Sequence, residues 1–92
     1  MEVHLSAEAE FQLDELLYYL EMEWGNKVST NFLEKFLHCL GVISLMPNAY
    51  PESEAIPGLR RCVVTSQTSF LYQILENEIE VVTVVDNRRD WP

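Results

Sequence analysis

Two long stretches of the sequence carry apolar residues at helical spacing. Ser6 is suited to cap the first helix, because its hydroxyl can accept a hydrogen bond from a free backbone N–H. The apolar positions that follow recur every three or four residues, at Ala9, Leu13, Leu16, Leu17, Leu20 and Trp24. After Gly25, which can end a helix, the spacing resumes at Val28, Phe32, Phe36, Cys39, Leu40 and Ile43. Pro47 cannot continue the second helix, so the pattern predicts an antiparallel helical hairpin.

Outside the hairpin the apolar pattern is that of strands. Four are predicted, at Glu2–Leu5, Leu59–Val64, Phe70–Leu75 and Ile79–Val85. Residues 47–58 hold three of the four prolines and form a predicted loop, while 65–69 and 76–77 are predicted turns. The order β-α-α-β-β-β predicts an α+β fold in which the helical hairpin packs on one face of an antiparallel sheet. At 92 residues, the chain is expected to form a single domain, residues 1–92.

The last two predicted strands are apolar on both sides. Two helices cover only one face of a sheet, so the second face is left with apolar side chains that this chain does not cover. Exposed patches of that kind mark partner surfaces. The residues expected to face a partner are Phe70, Tyr72, Ile74, Val82 and Val84. The alternative is that the strands are short and that the loop at 47–58 covers the patch.

The charge of the chain is strongly negative and unevenly distributed. The net charge is −9, with ten acids and two lysines in residues 1–58 but four arginines and five acids in residues 59–92. A general nucleic-acid binder is basic, because contacts to phosphate dominate its affinity. The composition therefore argues against direct general nucleic-acid binding. Any anion-facing site must lie in the C-terminal third.

Composition and motif content also set expectations for location and cofactors. No apolar run has the length of a membrane span, and the sequence begins without a basic and apolar leader, so we expect a cytoplasmic protein with no membrane contact. Cys39 and Cys62 lie far apart without metal-binding spacing, which predicts two buried free thiols. The helix acids lack histidine partners at ligand spacing. We therefore expect no metal site and no cofactor.

Several short motifs in order resemble a known family. The first helix carries the pattern LSxxAExxLxxLLxYLExEWG, and the most specific pieces are Trp24-Gly25, Gly58-Leu59-Arg60-Arg61, Leu71-Tyr72 and Asp86-Asn87-Arg88-Arg89. Together they resemble the RelE/ParE superfamily of bacterial type II toxin–antitoxin toxins, also called plasmid-stabilisation proteins. The resemblance covers essentially the whole chain. It implies the fold predicted above, with the first strand beside the last.

The resemblance also implies a cognate antitoxin as partner. In this family a disordered antitoxin segment folds over the toxin, often across the sheet, which would cover the apolar face described above. Two branches of the family act differently. RelE-like toxins enter the ribosome and cut mRNA, whereas ParE-like toxins bind DNA gyrase.

The RelE-like branch uses cationic and proton-transferring residues that this sequence largely lacks. Arg88 matches the family's arginine after the last strand, but Ser69 stands where an arginine begins the penultimate strand. No lysine occurs in residues 59–69, and no Tyr or His follows Arg88. His4 and His38 are better interpreted as ordinary strand and helix residues. If the chain were a ribonuclease, its catalytic residues would be Arg60, Arg61, Tyr72 and Arg88.

The ParE-like branch requires a protein–protein contact and no catalytic residues. The family's basic C-terminal strand and tail correspond to Arg60, Arg61, Arg88, Arg89 and Trp91, which are the candidate target-binding residues. One arginine of each pair could share a sheet face. Alternatively, these arginines pair with Glu80, Asp86 or Asp90. We interpret Tyr72 as a core residue and the chain as nearer ParE, with a degenerate toxin that only binds its antitoxin as a third hypothesis.

Overall fold

The computed structural model describes residues 1–87. Its elements are β1 (Glu2–Leu5), α1 (Ala7–Trp24), α2 (Asn26–Leu45), β2 (Arg60–Val63), β3 (Thr68–Ile74) and β4 (Glu78–Asp86). The predicted α+β fold is confirmed. β3 begins at Thr68 rather than at Phe70, because the turn before it is tight: the backbone N–H groups of Val64 and Thr65 both donate to the Thr68 carbonyl, at 2.9 and 3.1 Å.

The four strands form one sheet in the order β1-β4-β3-β2. The first strand therefore lies beside the last, as the family resemblance implied. The pairs β2–β3 and β3–β4 are antiparallel, as predicted, but β1 pairs with β4 in parallel, so the sheet is mixed. A parallel neighbour needs a long crossover, and here the whole helical hairpin supplies a large part of it.

Ser6 joins the start of α1 to the sheet. Its hydroxyl oxygen accepts a hydrogen bond from the Ala9 N–H at 3.0 Å and donates to the Val82 carbonyl at 2.7 Å. The predicted N-cap is therefore confirmed, and the same side chain also ties the helix to β4. Gly25 ends α1 and begins α2 with φ of 97°, a backbone conformation that favours glycine.

The hydrophobic core lies between the helical hairpin and one face of the sheet. Aromatic rings link the layers, since Phe36 of α2 packs 5.3 Å from Phe70, whose ring centre is 6.0 Å from that of Tyr72. The buried apolar cluster comprises Ala9, Leu16, Leu20, Phe32, Phe36, Cys39, Ile43, Cys62, Phe70, Tyr72, Ile79, Val81 and Val84. Because Cys39 and Cys62 belong to it as free thiols, the cysteine prediction is confirmed.

A β-bulge in β4 changes which side chains face the core. β3 pairs Leu71 with Thr83 and Tyr72 with Val81, so Val82 is an extra residue. Before the bulge Ile79 and Val81 face the helices, and after it Val84 does. A strict period of two along the predicted strand would put Val84 on the side opposite Ile79 and Val81, so the bulge reverses that expectation.

Within residues 1–87, no helix combines the length and the apolar character that crossing a bilayer requires. In the same residues, no three His, Cys, Asp or Glu side chains come together as a potential metal site.

Candidate functional site

The sheet face that points away from the helices carries the exposed arginine of β2. The pairing register places Arg61 level with Leu71 and Thr83, and Val63 level with Ser69 and Val85. Directly opposed residues of antiparallel strands point to the same side. We call this set, Arg61, Val63, Ser69, Leu71, Thr83 and Val85, the outer sheet face. Arg61, Val63 and Val85 are its exposed members.

The residues expected to meet a partner lie mostly on the other face. Phe70, Tyr72 and Val84 are buried beneath the helices, and Ile74 is partly buried against the same core. Their predicted placement on an uncovered face is wrong, because these positions of β3 are the ones that pack against Phe36 and its neighbours. Val82 is half-buried at the bulge. On the outer sheet face, Val63 and Val85 are the exposed apolar residues, while Leu71 is buried.

The two arginines of β2 point to opposite sides of the sheet. The half-buried Arg60 donates from Nη1 to the Tyr50 carbonyl at 2.6 Å. The exposed Arg61 donates from Nε to the Ser69 hydroxyl at 3.4 Å. Among residues 1–87, neither guanidinium lies within 4.0 Å of a carboxylate. Arg60 is therefore held by the loop after α2, whereas Arg61 is available for an external anion.

The carboxylates proposed as partners of these arginines have other contacts. Glu80 accepts a hydrogen bond from the Gln73 amide at 2.9 Å and lies 3.7 Å from the His4 imidazole. Asp86 is buried and accepts from the Thr68 hydroxyl at 2.8 Å. The alternative in which Glu80 or Asp86 neutralises Arg60 or Arg61 is therefore wrong for this structure. Asp90 lies outside the described residues.

Arg61 also lines an open cavity between β2 and the loop after α2. Its volume is ≈ 680 Å³. Tyr50, Pro51, Glu52 and Val63 form part of the wall. The loop is held in place by backbone hydrogen bonds, including one from the Arg61 N–H to the Pro51 carbonyl at 3.0 Å. The guanidinium therefore lies at a fixed, solvent-open edge of the sheet.

Tyr72 is committed to the core and does not join Arg61. Its hydroxyl donates to the Pro47 carbonyl at 2.7 Å. Burial raises the pKa of Tyr72, and the nearby Arg60 guanidinium only partly opposes that shift. A tyrosine held in its neutral form this way is a poor general base. Among the described members of the predicted ribonuclease set, Arg60 and Tyr72 lie on the helix side and Arg61 on the outer side.

Tyr50 and Cys62 extend this buried polar cluster. Desolvation is the main cause that raises the pKa of Cys62 to about 12, and the neighbouring Cys39 adds to it. Burial together with a hydrogen bond to the Cys62 thiol raises the pKa of Tyr50 to about 12. Both groups are therefore protonated and unreactive near neutral pH.

The end of β4 lies beside the turn between β2 and β3. The Asn87 N–H donates to the Gln67 carbonyl at 2.7 Å. Asp86 pairs with Thr68, three residues along the sheet from the level of Arg61 and therefore roughly 10 Å away in the strand direction. Arg88, Arg89 and Trp91 lie outside the described residues, so their assignment to the target-binding site stays a prediction.

Sequence reasoning missed one polar residue that organises this end of the sheet. Gln12 of α1 accepts hydrogen bonds at its Oε1 from the Val84 N–H, at 2.7 Å, and from the Thr83 hydroxyl, at 3.1 Å. Gln12 thereby supplies a hydrogen-bond acceptor to β4 beyond Val81, which is the last residue of β4 that pairs with β1. No capping or turn motif marks this glutamine, so nothing in the sequence pattern indicates the contact.

The fold is similar to those of three solved structures, two of which are described as parts of toxin systems. One neighbour belongs to the "Chromosomal ParDE TA system from P. aeruginosa", with a TM-score of 0.79, 12% identity and coverage of 94% of this chain and 95% of that chain. Another is a "YoeB/ParE toxin from Agrobacterium tumefaciens", with a TM-score of 0.69, 13% identity and coverage of 94% and 98%. A conserved hypothetical protein from Helicobacter pylori matches with a TM-score of 0.52, 12% identity and coverage of 97% of both chains.

These likenesses establish the RelE/ParE-like fold that the resemblance implied. No protein-family model matches the chain, and no curated protein does either. At 12–13% identity the shared property is the fold, and function has to be argued from the site.

Proposed function

We propose that this chain is the toxin component of a bacterial type II toxin–antitoxin system, of the ParE-like kind. It binds a protein target such as DNA gyrase in the cytoplasm and is neutralised by a cognate antitoxin. The observation that carries the proposal is the match over 94% of the chain, with a TM-score of 0.79, to a member of a ParDE system. The motif order described above supports the same assignment.

The arrangement of the site favours binding over catalysis. Arg61 presents on the outer sheet face an exposed guanidinium that has no carboxylate partner within residues 1–87, and its planar fork suits a carboxylate of a protein partner. RNA cleavage requires a group poised for proton transfer beside the cations. Tyr72, the described candidate for that task, is buried, hydrogen-bonded to Pro47 and on the side opposite Arg61. The ribosome-dependent ribonuclease is therefore the weaker hypothesis.

A second candidate is a chain that binds its antitoxin but no cellular target. Two observations favour it: the net charge of −9, and the use of Arg60 as a structural contact rather than as a surface cation. In this case the antitoxin-binding surface is the whole function.

The test is induced expression in a bacterial host without antitoxin, followed by pulse-labelling of DNA and protein synthesis. The proposal predicts that DNA synthesis stops first and that cells filament. A first arrest in translation, with mRNA cut at ribosomes, would instead establish the ribonuclease. If neither synthesis stops, the antitoxin-only hypothesis replaces the proposal. Arg61→Ala should reduce the effect, whereas Lys35→Ala, which removes an exposed cation from α2, serves as the matched control.

A further inference from the structure

The outward side of α1 carries an apolar stripe that nothing in residues 1–87 covers. Phe11, Tyr18 and Met22 are 66%, 65% and 65% exposed. Their spacing of seven and four residues places them in one row. That row lies on the side of the helix opposite its buried residues, Ala9, Leu16 and Leu20. We call these three side chains the α1 outer stripe; from first to last it rises about 16 Å along the helix axis.

Acidic residues border the outer stripe on both sides. Glu8 and Glu15 lie along one side of it, and Asp14 and Glu21 lie along the other, as the 100° step of the helix dictates. α1 contains six acids and neither lysine nor arginine. Single exposed apolar residues on a helix need no explanation, but a row framed by charge of one sign is a recognition pattern.

The stripe continues into a cavity between α1 and the end of β4. Its volume is ≈ 440 Å³. Phe11 belongs to both the stripe and the cavity, where Leu16 and Val84 supply further apolar wall. The acidic residues Glu8, Glu15 and Asp86 line the same cavity, and Asp86 among them is buried and bound to the Thr68 hydroxyl. An apolar floor with acidic walls therefore runs from the cavity along the helix.

We propose that the α1 outer stripe and its cavity bind a cationic amphipathic helical segment of a protein partner. Apolar residues of such a segment would pack on Phe11, Tyr18 and Met22, and its lysines or arginines would face the flanking carboxylates of Glu8, Asp14 and Glu21. If the proposed function holds, this segment belongs to the antitoxin. The identity of the partner rests on the proposed function, whereas the binding surface itself does not. The charge pattern argues against a second copy of this chain, because two α1 helices would bring like charges together.

The binding test uses two synthetic peptides of 18 residues with the same leucine pattern, one with lysine and one with glutamate at every polar position. Fluorescence anisotropy with labelled peptide measures the dissociation constant at low and at physiological salt. The lysine peptide should bind, more weakly as salt rises, and the glutamate peptide should not. Replacing the stripe, with Phe11→Ser, Tyr18→Ser and Met22→Ser together, should weaken binding by about tenfold or more.

Leu45→Ser is the matched control, because Leu45 is 84% exposed and lies at the end of α2, the other helix of the hairpin. Its binding should stay within about twofold of the parent chain. Circular dichroism melts verify that each variant folds. If the triple variant does not fold, the double variant Asp14→Asn with Glu21→Gln tests the charge requirement. It should weaken the binding of the lysine peptide.

Three outcomes overturn the proposal. The first is that the two peptides bind equally or not at all, and the second is that the stripe variants bind as the parent chain does. The third is that the lysine peptide binds only after residues 88–92 are removed, which would make the chain's own arginine-containing end the occupant. Toxicity in the expression assay is measured separately, so a failed peptide test leaves the proposed function standing, and a non-toxic chain leaves the peptide result standing.

Discussion

Exchanging each β2 arginine for methionine separates a structural arginine from a binding arginine. Methionine keeps most of the aliphatic stem and removes the guanidinium. At Arg60 the change removes the 2.6 Å hydrogen bond to the Tyr50 carbonyl from a half-buried position. Hydrogen bonds to charged groups contribute about 1.5–3 kcal/mol, so Arg60→Met should lower the free energy of unfolding by about 2 kcal/mol. Arg61→Met removes an exposed group with one 3.4 Å contact and should change it by less than about 0.5 kcal/mol.

Urea unfolding followed by circular dichroism measures both free energies. In a domain of this size about 1 kcal/mol corresponds to 4–8 °C in melting temperature, so Arg60→Met should melt roughly 10 °C lower. In the expression assay we expect the two variants to rank the other way round in activity. Arg61→Met should lose activity at unchanged stability, while Arg60→Met should keep activity at temperatures where it is folded.

The reasoning is refuted if the two variants do not show these effects on stability and activity. A stable Arg60→Met variant would mean that the contact to Tyr50 contributes nothing. A destabilised Arg61→Met variant would mean that the outer sheet face is part of the structure and not a free surface. Full activity in Arg61→Met would remove this arginine from the proposed mechanism.

Three further perturbations test the buried side of the sheet. Tyr72→Phe leaves the Pro47 carbonyl without its donor and should cost about 1–2 kcal/mol in unfolding free energy while keeping activity; lost activity at full stability would reopen the catalytic hypothesis. Because the pKa of Cys62 is raised to about 12 in the fold, stability should be full below pH 9 and fall by up to about 1.4 kcal/mol per pH unit above it. Cys62→Ala should show a shallower fall in urea titrations between pH 8 and 10, and an equal slope would assign the effect to other groups. Gln12→Ala leaves the Val84 N–H without its acceptor and should speed its hydrogen exchange, and unchanged exchange would show that the contact is dispensable.

The helical hairpin was predictable because its signals are local. The apolar spacing, the Ser6 cap and the Gly25 junction each act within a few residues, and all three are present in the structure. The strands were located for the same reason, with β3 starting two residues early. That β1 lies beside β4 came only from the family resemblance, and the parallel direction of this pair was not predicted, since strand order and direction depend on contacts across the whole chain.

The composition of the site was not predictable to the same degree. Side-chain direction in a strand depends on a period of two, so one extra residue reverses every position beyond it. Neither glycine nor proline marks Val82 as that residue. The directions in which Arg60 and Arg61 point likewise depend on which face of β2 meets the helices. The sequence did not determine that face, because the later strands are apolar on both sides.

The outer sheet face and the α1 outer stripe lie on opposite layers of the molecule. A segment bound along α1 would therefore leave Arg61 open, because the sheet separates the two surfaces. The cavity at the end of β4 belongs to the α1 side, because its wall is formed by residues of α1 together with Val84 and Asp86. A partner seated in this cavity and along the α1 outer stripe would therefore leave in place the affinity that Arg61 contributes to a target on the outer sheet face.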